Sequence, residues 1–337
     1  MLHSALQLLE AGRDLSMSQM SEAIGLVMEG RCGEDEIARL LVGLHRKGET
    51  VAEVAGAAAA MRRQMTPIRT SRSGVIDTCG TGGDGSKTFN ISTTAALVTA
   101  AAGVPVAKHG NRGITSRSGS ADALAALGVN IDADVACVEA CLDELGICFC
   151  FAPLMHQAMR HVGPIRKKLG HPTVFNILGP LVNPAAAPFQ LLGVGRPELR
   201  PLMSEALLML GTRRSLVVHG ADGLDEVTIG GTTHVTEATA DGLRDSQWLP
   251  GDFGLKQAGR ESMLIDGPQQ SAGIIREVLA GRSGPPRDVV VANAAAALWT
   301  AGRADSLAAC AEMAAEAIDS GAARDLLQRL AERTWAK

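Results

Sequence analysis

The sequence predicts an α/β protein in which a small helical domain precedes a larger domain with a mostly parallel central sheet. Three observations predict it. Residues 1–66 carry helix-period apolar stripes and no strand character. After Thr66-Pro67, short apolar strands alternate with helices, and from about Gly267 the pattern is helical again. Alternation of this kind, with strands apolar throughout rather than at every second residue, is what a parallel sheet covered on both faces requires.

In the first segment, Ser16 with Gln19 and Thr50 with Glu53 are capping-box pairs, each ahead of a helix-period run. Ile37, Leu40, Leu41 and Leu44 follow i, i+3, i+4, i+7 spacing, an apolar stripe wide enough to pack on a neighbour. Four short helices are expected, with Gly12, Gly30 and Gly48 near their ends. Strands are expected at Val75–Asp77, Val104–Lys108, Ile147–Phe151, Gln190–Val194 and Ser215–His219, and two more across 226–238. Helices are expected at 92–102, 119–127, 134–145 and 197–210. Residues 155–178 interrupt the alternation, because Met155–Leu169 reads as helical and His171–Leu178 lacks strand signal.

At 337 residues the chain is long enough for two domains and for a core that needs no staples. With six Phe, three Trp and no Tyr, that core must be built from Ala, Leu, Val and Ile. A net charge of −4 speaks against non-specific nucleic-acid binding as the main role. The seven cysteines are odd in number and form no CxxC pair. With no secretory pattern at the N-terminus, they are expected to be reduced residues of a cytoplasmic protein. The uncharged run Thr173–Gly195 could span a membrane in length, but Pro180, Pro184 and Pro188 break it.

Chemistry concentrates in four places. The first is Asp77 to Thr94, where Gly80, Gly82, Gly83 and Gly85 let the backbone approach a ligand and take positive φ. A glycine loop opening onto a helix offers unpaired N–H groups and the positive dipole end to an anion. Asn90, Ser92, Thr93 and Thr94 add short polar side chains at the start of that helix. The loop is not a Walker motif, because Lys87 is not placed as GK[ST], and the alternative is an ordinary turn. The second is Lys108 to Ser120, after the next strand, with Lys108, His109, Arg112 and Arg117 among hydroxyls and glycines. Ligands collect at the carboxyl ends of parallel strands, so this loop should face the first and suits a phosphate-rich ligand, unless it is simply solvated. The third, Asp225-Glu226, is either a Mg2+ site against a substrate phosphate or a surface acid pair. The fourth is Phe151-Ala152-Pro153 with His156, Met159 and Arg166, where Arg166 can fork onto a carboxylate.

Together these segments resemble the anthranilate phosphoribosyltransferase family. The resemblance rests on GTGGD (Gly80–Asp84), NIST (Asn90–Thr93), KHGNR (Lys108–Arg112), SGSAD (Ser118–Asp122) and FAPxxHxAM (Phe151–Met159). It extends through Val162–Leu169, FNxLGPLxNP (Phe175–Pro184), LGVGR (Leu192–Arg196) and HGxDGLDE (His219–Glu226), essentially the full length. It implies the fold shared by pyrimidine nucleoside phosphorylases, with residues 1–67 and helices from about 155–178 as the small domain. Residues 68–154 and 179–337 would form the large one. It also implies a homodimer and transfer of a phosphoribosyl group from phosphoribosyl pyrophosphate (PRPP) to anthranilate in tryptophan biosynthesis, with Mg2+.

By the same resemblance, Gly80, Gly83, Asp84, Thr88, Asn90, Ile91, Ser92 and Thr93 would bind the diphosphate and ribose. Lys108, His109, Gly110, Asn111, Arg112, Gly113, Ile114, Thr115, Ser116 and Ser120 would complete the PRPP site. Anthranilate would meet Gly80, Asn111, His156 and Arg166, and Mg2+ would meet Ser92, Asp225 and Glu226. The chain departs from the family pattern at Gly113-Ile114-Thr115, Met155 and Gln157, which bear on acceptor fit. No nucleophile or acid–base dyad is implied; catalysis would be electrostatic and positional. Two rivals predict other features. A nucleoside phosphorylase would carry Lys and Ser where Thr78 and Gly80 stand, and a nucleic-acid-binding paralogue would be basic and lack acceptor residues.

Overall fold

The computed structural model describes residues 2–113 and 116–336. Four helices open the chain: α1 (Leu2–Glu10), α2 (Met17–Met28), α3 (Glu34–Lys47) and α4 (Val51–Gln64). Both expected capping boxes form, Ser16 with Gln19 and Thr50 with Glu53. The α3 stripe of Ile37, Leu40, Leu41 and Leu44 is buried. Gly12, Gly30 and Gly48 take positive φ where the helices end.

The sheet begins with β1 (Ile76–Gly80), which leads through the glycine loop to α5 (Ile91–Ala101). Next come β2 (Val106–Gly110), α6 (Ser120–Ala126), α7 (Val135–Leu145) and β3 (Ile147–Phe151). A crossing segment carries three short helices, α8 (Ala152–Met155), α9 (Gly163–Leu169) and α10 (Phe175–Leu178). It is followed by β4 (Phe189–Gly193), α11 (Leu199–Met209), β5 (Arg214–Gly220), β6 (Thr233–Thr239) and β7 (Gly242–Trp248). The chain ends in α12 (Pro268–Leu279), α13 (Pro285–Thr300), α14 (Leu307–Asp319) and α15 (Ala322–Trp335). Strand order is β3-β2-β1-β4-β5-β6-β7. The first five pair in parallel, and β6 and β7 add antiparallel.

Two expectations are corrected. Residues 224–232 are not a strand, and the pair expected across 226–238 lies further on as β6 and β7. Met155–Leu169 is not one helix: His156 leaves helical geometry (φ −118°, ψ 57°), a 3-10 turn covers Gln157–His161, and α9 restarts at Gly163-Pro164. Proline suits a first turn and not an interior, so the break falls where Pro164 demands it.

Strand alternation divides the sheet between two cores. Ile76, Leu191, Leu216 and Val218 face α5 and α13. Cys79, Leu192 and Val217 face the opposite way, into a core with α1–α4, α10 and α11. The helical N-terminal unit therefore lies against one face of the sheet. Arg62 fastens it there, donating through Nε to the Leu181 carbonyl at 2.7 Å and through Nη1 to that of Leu210 at 3.2 Å.

The order of strands places the switch in chain direction between β1 and β4, the usual position of a ligand crevice. All four strands bordering it, β1, β2, β4 and β5, end in glycine: Gly80, Gly110, Gly193 and Gly220.

Candidate active site

The glycine loop leaves β1 and crosses the carboxyl end of β4, where the Thr81 N–H donates to the Gly193 carbonyl at 2.9 Å. Gly82, Gly83 and Gly85 have φ of 67°, 80° and 66°, and Lys87 joins them at 59°. Only glycine adopts this region without steric penalty, so the glycines are needed for the path of the loop itself. The path is held at three points. Gly82 N–H donates to Asp225 Oδ2 at 2.9 Å, Ser86 N–H to Asp84 Oδ1 at 3.2 Å, and Phe89 N–H to the Met263 carbonyl at 2.8 Å. The N–H groups of Gly83, Gly85, Lys87 and Thr93 have no partner among the described residues. A row of open donors beside a helix N-terminus is an anion site in waiting.

Asn90 stands at the N-cap of α5, half-buried and bonded to protein at both ends of its amide. Its Oδ1 accepts from the hydroxyls of Ser118 and Ser271, both at 2.8 Å, and its Nδ2 donates to the Ser118 carbonyl. Its side chain thus ties α5 to the second loop and to α12. That second loop is organised by Asp122, whose carboxylate accepts from Gly113 N–H (2.8 Å), Gly119 N–H (3.0 Å) and Arg112 Nη1 (3.1 Å). Burial pushes the Asp122 carboxyl up, but these donors outweigh it and hold it below the usual range. Asn111 accepts from Arg112 N–H through Oδ1, and its carbonyl receives the Ala121 N–H and the Ser120 hydroxyl. Ser116 donates to the Ser118 carbonyl. Ile114 and Thr115 lie outside the described residues.

Lys108, buried in β2, donates from Nζ to the Thr78 carbonyl and to Ser92 Oγ. His109 departs from the expectation that it lines the PRPP site with Lys108. Because β2 continues to Gly110, successive side chains point to opposite faces. The His109 ring lies on the face away from Lys108, with Nδ1 3.0 Å from the Gly179 carbonyl and Nε2 3.2 Å from His156 Nε2. A carbonyl can only accept, so Nδ1 carries the His109 proton and His156 donates to Nε2. Burial lowers the His109 pKa to about 3, with His156 adding to it, and burial lowers that of His156 to about 4. Both rings are neutral at pH 7.

The acidic pair follows β5. Asp225 accepts the Gly82 N–H, and Glu226 Oε1 accepts the Ser92 N–H at 3.0 Å. Burial raises both carboxyls well above the usual range. Asp84 beside Asp225, and Asp225 beside Glu226, raise them further, against the pull of Lys108 on Glu226. Asp84, expected on the PRPP side, stands next to the acidic pair, its Oδ2 enclosed and without a hydrogen-bond partner among the described residues. Among the described residues no three His, Cys, Asp or Glu side chains already converge as a metal cluster. The set of Asp84, Asp225, Glu226 and the Ser92 hydroxyl is nevertheless all oxygen, charge-rich and short of one counter-ion. It fits a hard divalent cation such as Mg2+.

On the acceptor side Arg166 donates from Nη2 to Asn176 Oδ1 at 3.2 Å and lies over the Phe175 ring, 5.7 Å from its centroid. It pairs with neither Asn111 nor, among the described residues, any carboxylate. Sequence reasoning passed over Ser271 and Asn176. Ser271 had no signal beyond a lone hydroxyl in an amphipathic helix, whereas Asn176 stands inside the FNxLGPLxNP segment.

Residues 72–324 match the model of the glycosyl transferase family a/b domain, and residues 3–65 that of its helical bundle domain. The anthranilate phosphoribosyltransferase of Rhodopirellula baltica is 49% identical over 321 residues, 95% of this chain and 94% of that protein. The crystal structure of anthranilate phosphoribosyltransferase from Thermus thermophilus superposes with a TM-score of 0.93 at 43% identity, covering 98% of this chain and 99% of that one. The Saccharomyces cerevisiae enzyme in complex with PRPP and Mg superposes with a TM-score of 0.90 at 29% identity, covering 99% and 97%. Site geometry, full-length similarity and shared fold agree: the chain belongs to the anthranilate phosphoribosyltransferase family.

Proposed function

We propose that the chain transfers the 5-phosphoribosyl group of PRPP to the amine of anthranilate, releasing pyrophosphate, as a step of tryptophan biosynthesis. The observation that carries the reading is the half-buried acid group of Asp84, Asp225 and Glu226 beside the glycine loop, where Asp225 accepts the Gly82 N–H and the N–H groups that follow are open. Ser92, Asp225 and Glu226, with Asp84, would hold Mg2+, which when bound supplies positive charge to the departing pyrophosphate.

The remaining work falls to the chain. N–H groups of Gly83, Gly85 and Lys87 and the N-terminus of α5 receive phosphate oxygens, and Lys108 adds a fixed cation behind them. The amine lone pair of anthranilate forms the bond to the anomeric carbon as the bond to pyrophosphate oxygen breaks, its electron pair leaving with the pyrophosphate. The nitrogen then sheds a proton to solvent. An arylamine is already neutral at pH 7, so no strong base is required, and the neutral His109–His156 pair supports the acceptor channel. Arg166, held level by Asn176 and Phe175, is assigned to the anthranilate carboxylate, with Gly80 and Asn111 beside it.

Residues 1–67 with the helices of about 155–178 are assigned as the small domain, supported by the core they share. A cytoplasmic homodimer completes the proposal. Anthranilate fluorescence tests the reaction. It should disappear when PRPP and Mg2+ are both supplied and persist when either is withheld. Persistence with both present would refute the reading.

A further inference from the structure

Asn293 stands in the middle of α13, and every other residue from Val289 to Leu298 is apolar and buried. A buried amide in such a run is unfavourable unless fully bonded, and asparagine is a poor helix former. Here it is fully engaged. Asn293 Oδ1 accepts the Val227 N–H at 2.9 Å, while Nδ2 donates to the Val227 carbonyl at 2.8 Å and to the Val289 carbonyl at 2.8 Å. The N–H and carbonyl of one peptide residue are thus bracketed by one side-chain amide, which also fixes which way the amide points.

Val227 directly follows Glu226, and residues 224–228 belong to no strand or helix. Such a segment has no ladder of its own to hold it. Its upstream end is pressed on Gly193, where a Cβ would come within 1.6 Å of the Asp225 carbonyl. Its downstream end is gripped by two side chains from outside it: Asn293 brackets Val227, and Thr233 Oγ1 accepts the Thr228 N–H at 3.0 Å. The acidic pair is therefore suspended between a backbone stop and a side-chain bracket.

We infer that Asn293 is a positioning residue for the transfer reaction: by bracketing Val227 it holds Asp225 and Glu226 at the spacing that a PRPP-bound divalent cation needs. The inference rests on the proposed function. Its signature is a loss of metal–PRPP affinity in folded protein, which a purely structural hydrogen bond would not produce. Outer contacts that orient metal ligands typically shift metal affinity by about 10- to 100-fold.

The test is isothermal titration calorimetry of the full chain with the Mn2+ complex of PRPP, with circular dichroism on each variant. Asn293→Ala should bind it about 10- to 100-fold more weakly while the KM for anthranilate at saturating PRPP stays as in the parent. Asn293→Ser, too short to span both Val227 groups, should shift the same way. Wild-type affinity in a folded variant would overturn the inference. Failure of the parent chain to bind Mn2+–PRPP would instead sink the functional reading. If neither variant folds, hydrogen exchange on the parent chain decides. The Val227 amide should exchange more slowly once Mn2+–PRPP is added, and an unchanged rate would overturn the inference.

Discussion

Replacing Gly193 by alanine puts a methyl group where β4 already touches the acidic loop. An ideal Cβ at Gly193 lies 1.6 Å from the Asp225 carbonyl oxygen, 2.4 Å from its carbon and 3.2 Å from the Glu226 nitrogen. These are backbone atoms, which no rotamer change can move. Carbon and oxygen pack at roughly 3.5 Å, so the loop must retreat by about 2 Å. Gly193 is not among the positive-φ glycines, so the backbone at 193 adds no strain and the whole effect falls on the contact. A misplacement of about 1 Å at reacting groups can lower a rate about 10²-fold, and overpacking of this kind costs about 1–3 kcal/mol of stability. We expect Gly193→Ala to fold, to melt earlier, and to lose kcat/KM by about 10²-fold or more in the anthranilate fluorescence assay, with more Mg2+ needed for half-maximal rate. Gly273→Ala is the matched control. It lies inside α12 with no atom within 4 Å of the new Cβ, and should keep full activity while gaining about 0.5–1 kcal/mol. A Gly193→Ala enzyme with parental kcat/KM and Mg2+ requirement would refute the reasoning.

Four further outcomes are expected. Asp225→Asn combined with Glu226→Gln should leave circular dichroism intact and reduce turnover by about 10²–10³ per lost interaction; near-normal activity in excess Mg2+ would remove these residues from the metal site. Gly83 has φ of 80° with nothing within 4 Å of its missing Cβ. Gly83→Val should therefore strain the loop and raise the KM for PRPP far more than that for anthranilate, whereas equal effects would favour a turn without ligand. Arg166→Ala should weaken anthranilate use by roughly ten- to a hundred-fold, the worth of a charged hydrogen bond of about 1.5–3 kcal/mol, and leave aniline nearly unaffected; equal losses would exclude Arg166 from the acceptor carboxylate. Finally, His109 and His156 are held neutral in the fold with pKa about 3 and about 4, below the unfolded value near 6.5. The unfolded chain then binds more protons below pH 6.5, so their contribution is intact above that pH and is lost as pH falls towards 4. Urea unfolding at pH 7 and pH 5 should show the decline, and a smaller one in His156→Asn; equal slopes in both proteins would assign it elsewhere.

The strands nearest the crevice were readable because parallel strands buried on both faces are short apolar runs. β7 was not, since its sequence GLRDSQW is exposed from Leu243 to Gln247 and looks like loop. The direction of His109 was concealed by a smaller error. Ending the second strand at Lys108 made His109 a loop residue, free to join its neighbour, whereas a strand through Gly110 sends the two side chains apart. The glycine loop and the acidic pair were visible as local chemistry. What joins them was not: Ser271 and Asn293 lie about 180 and 70 residues from what they hold, and one polar residue in an alanine-rich helix announces no partner.

The four glycines that end β1, β2, β4 and β5 bear on how this protein can be altered. A Cβ at Gly80, Gly110, Gly193 or Gly220 would meet Asp225, Ser120, Asp225 again or Asp222 within 2.5 Å. At Gly193 the obstacle is backbone, and at Gly80, Gly110 and Gly220 it is a side-chain oxygen, so all four strand ends sit tight under the loops. In a saturation library these positions should return glycine and little else. Variants that accept a different amine should arise outside the rim, around Met155 and Gln157, where the chain departs from the family pattern, and Asn176, which holds Arg166. An engineer seeking a new acceptor would randomise that outer layer and leave the rim untouched.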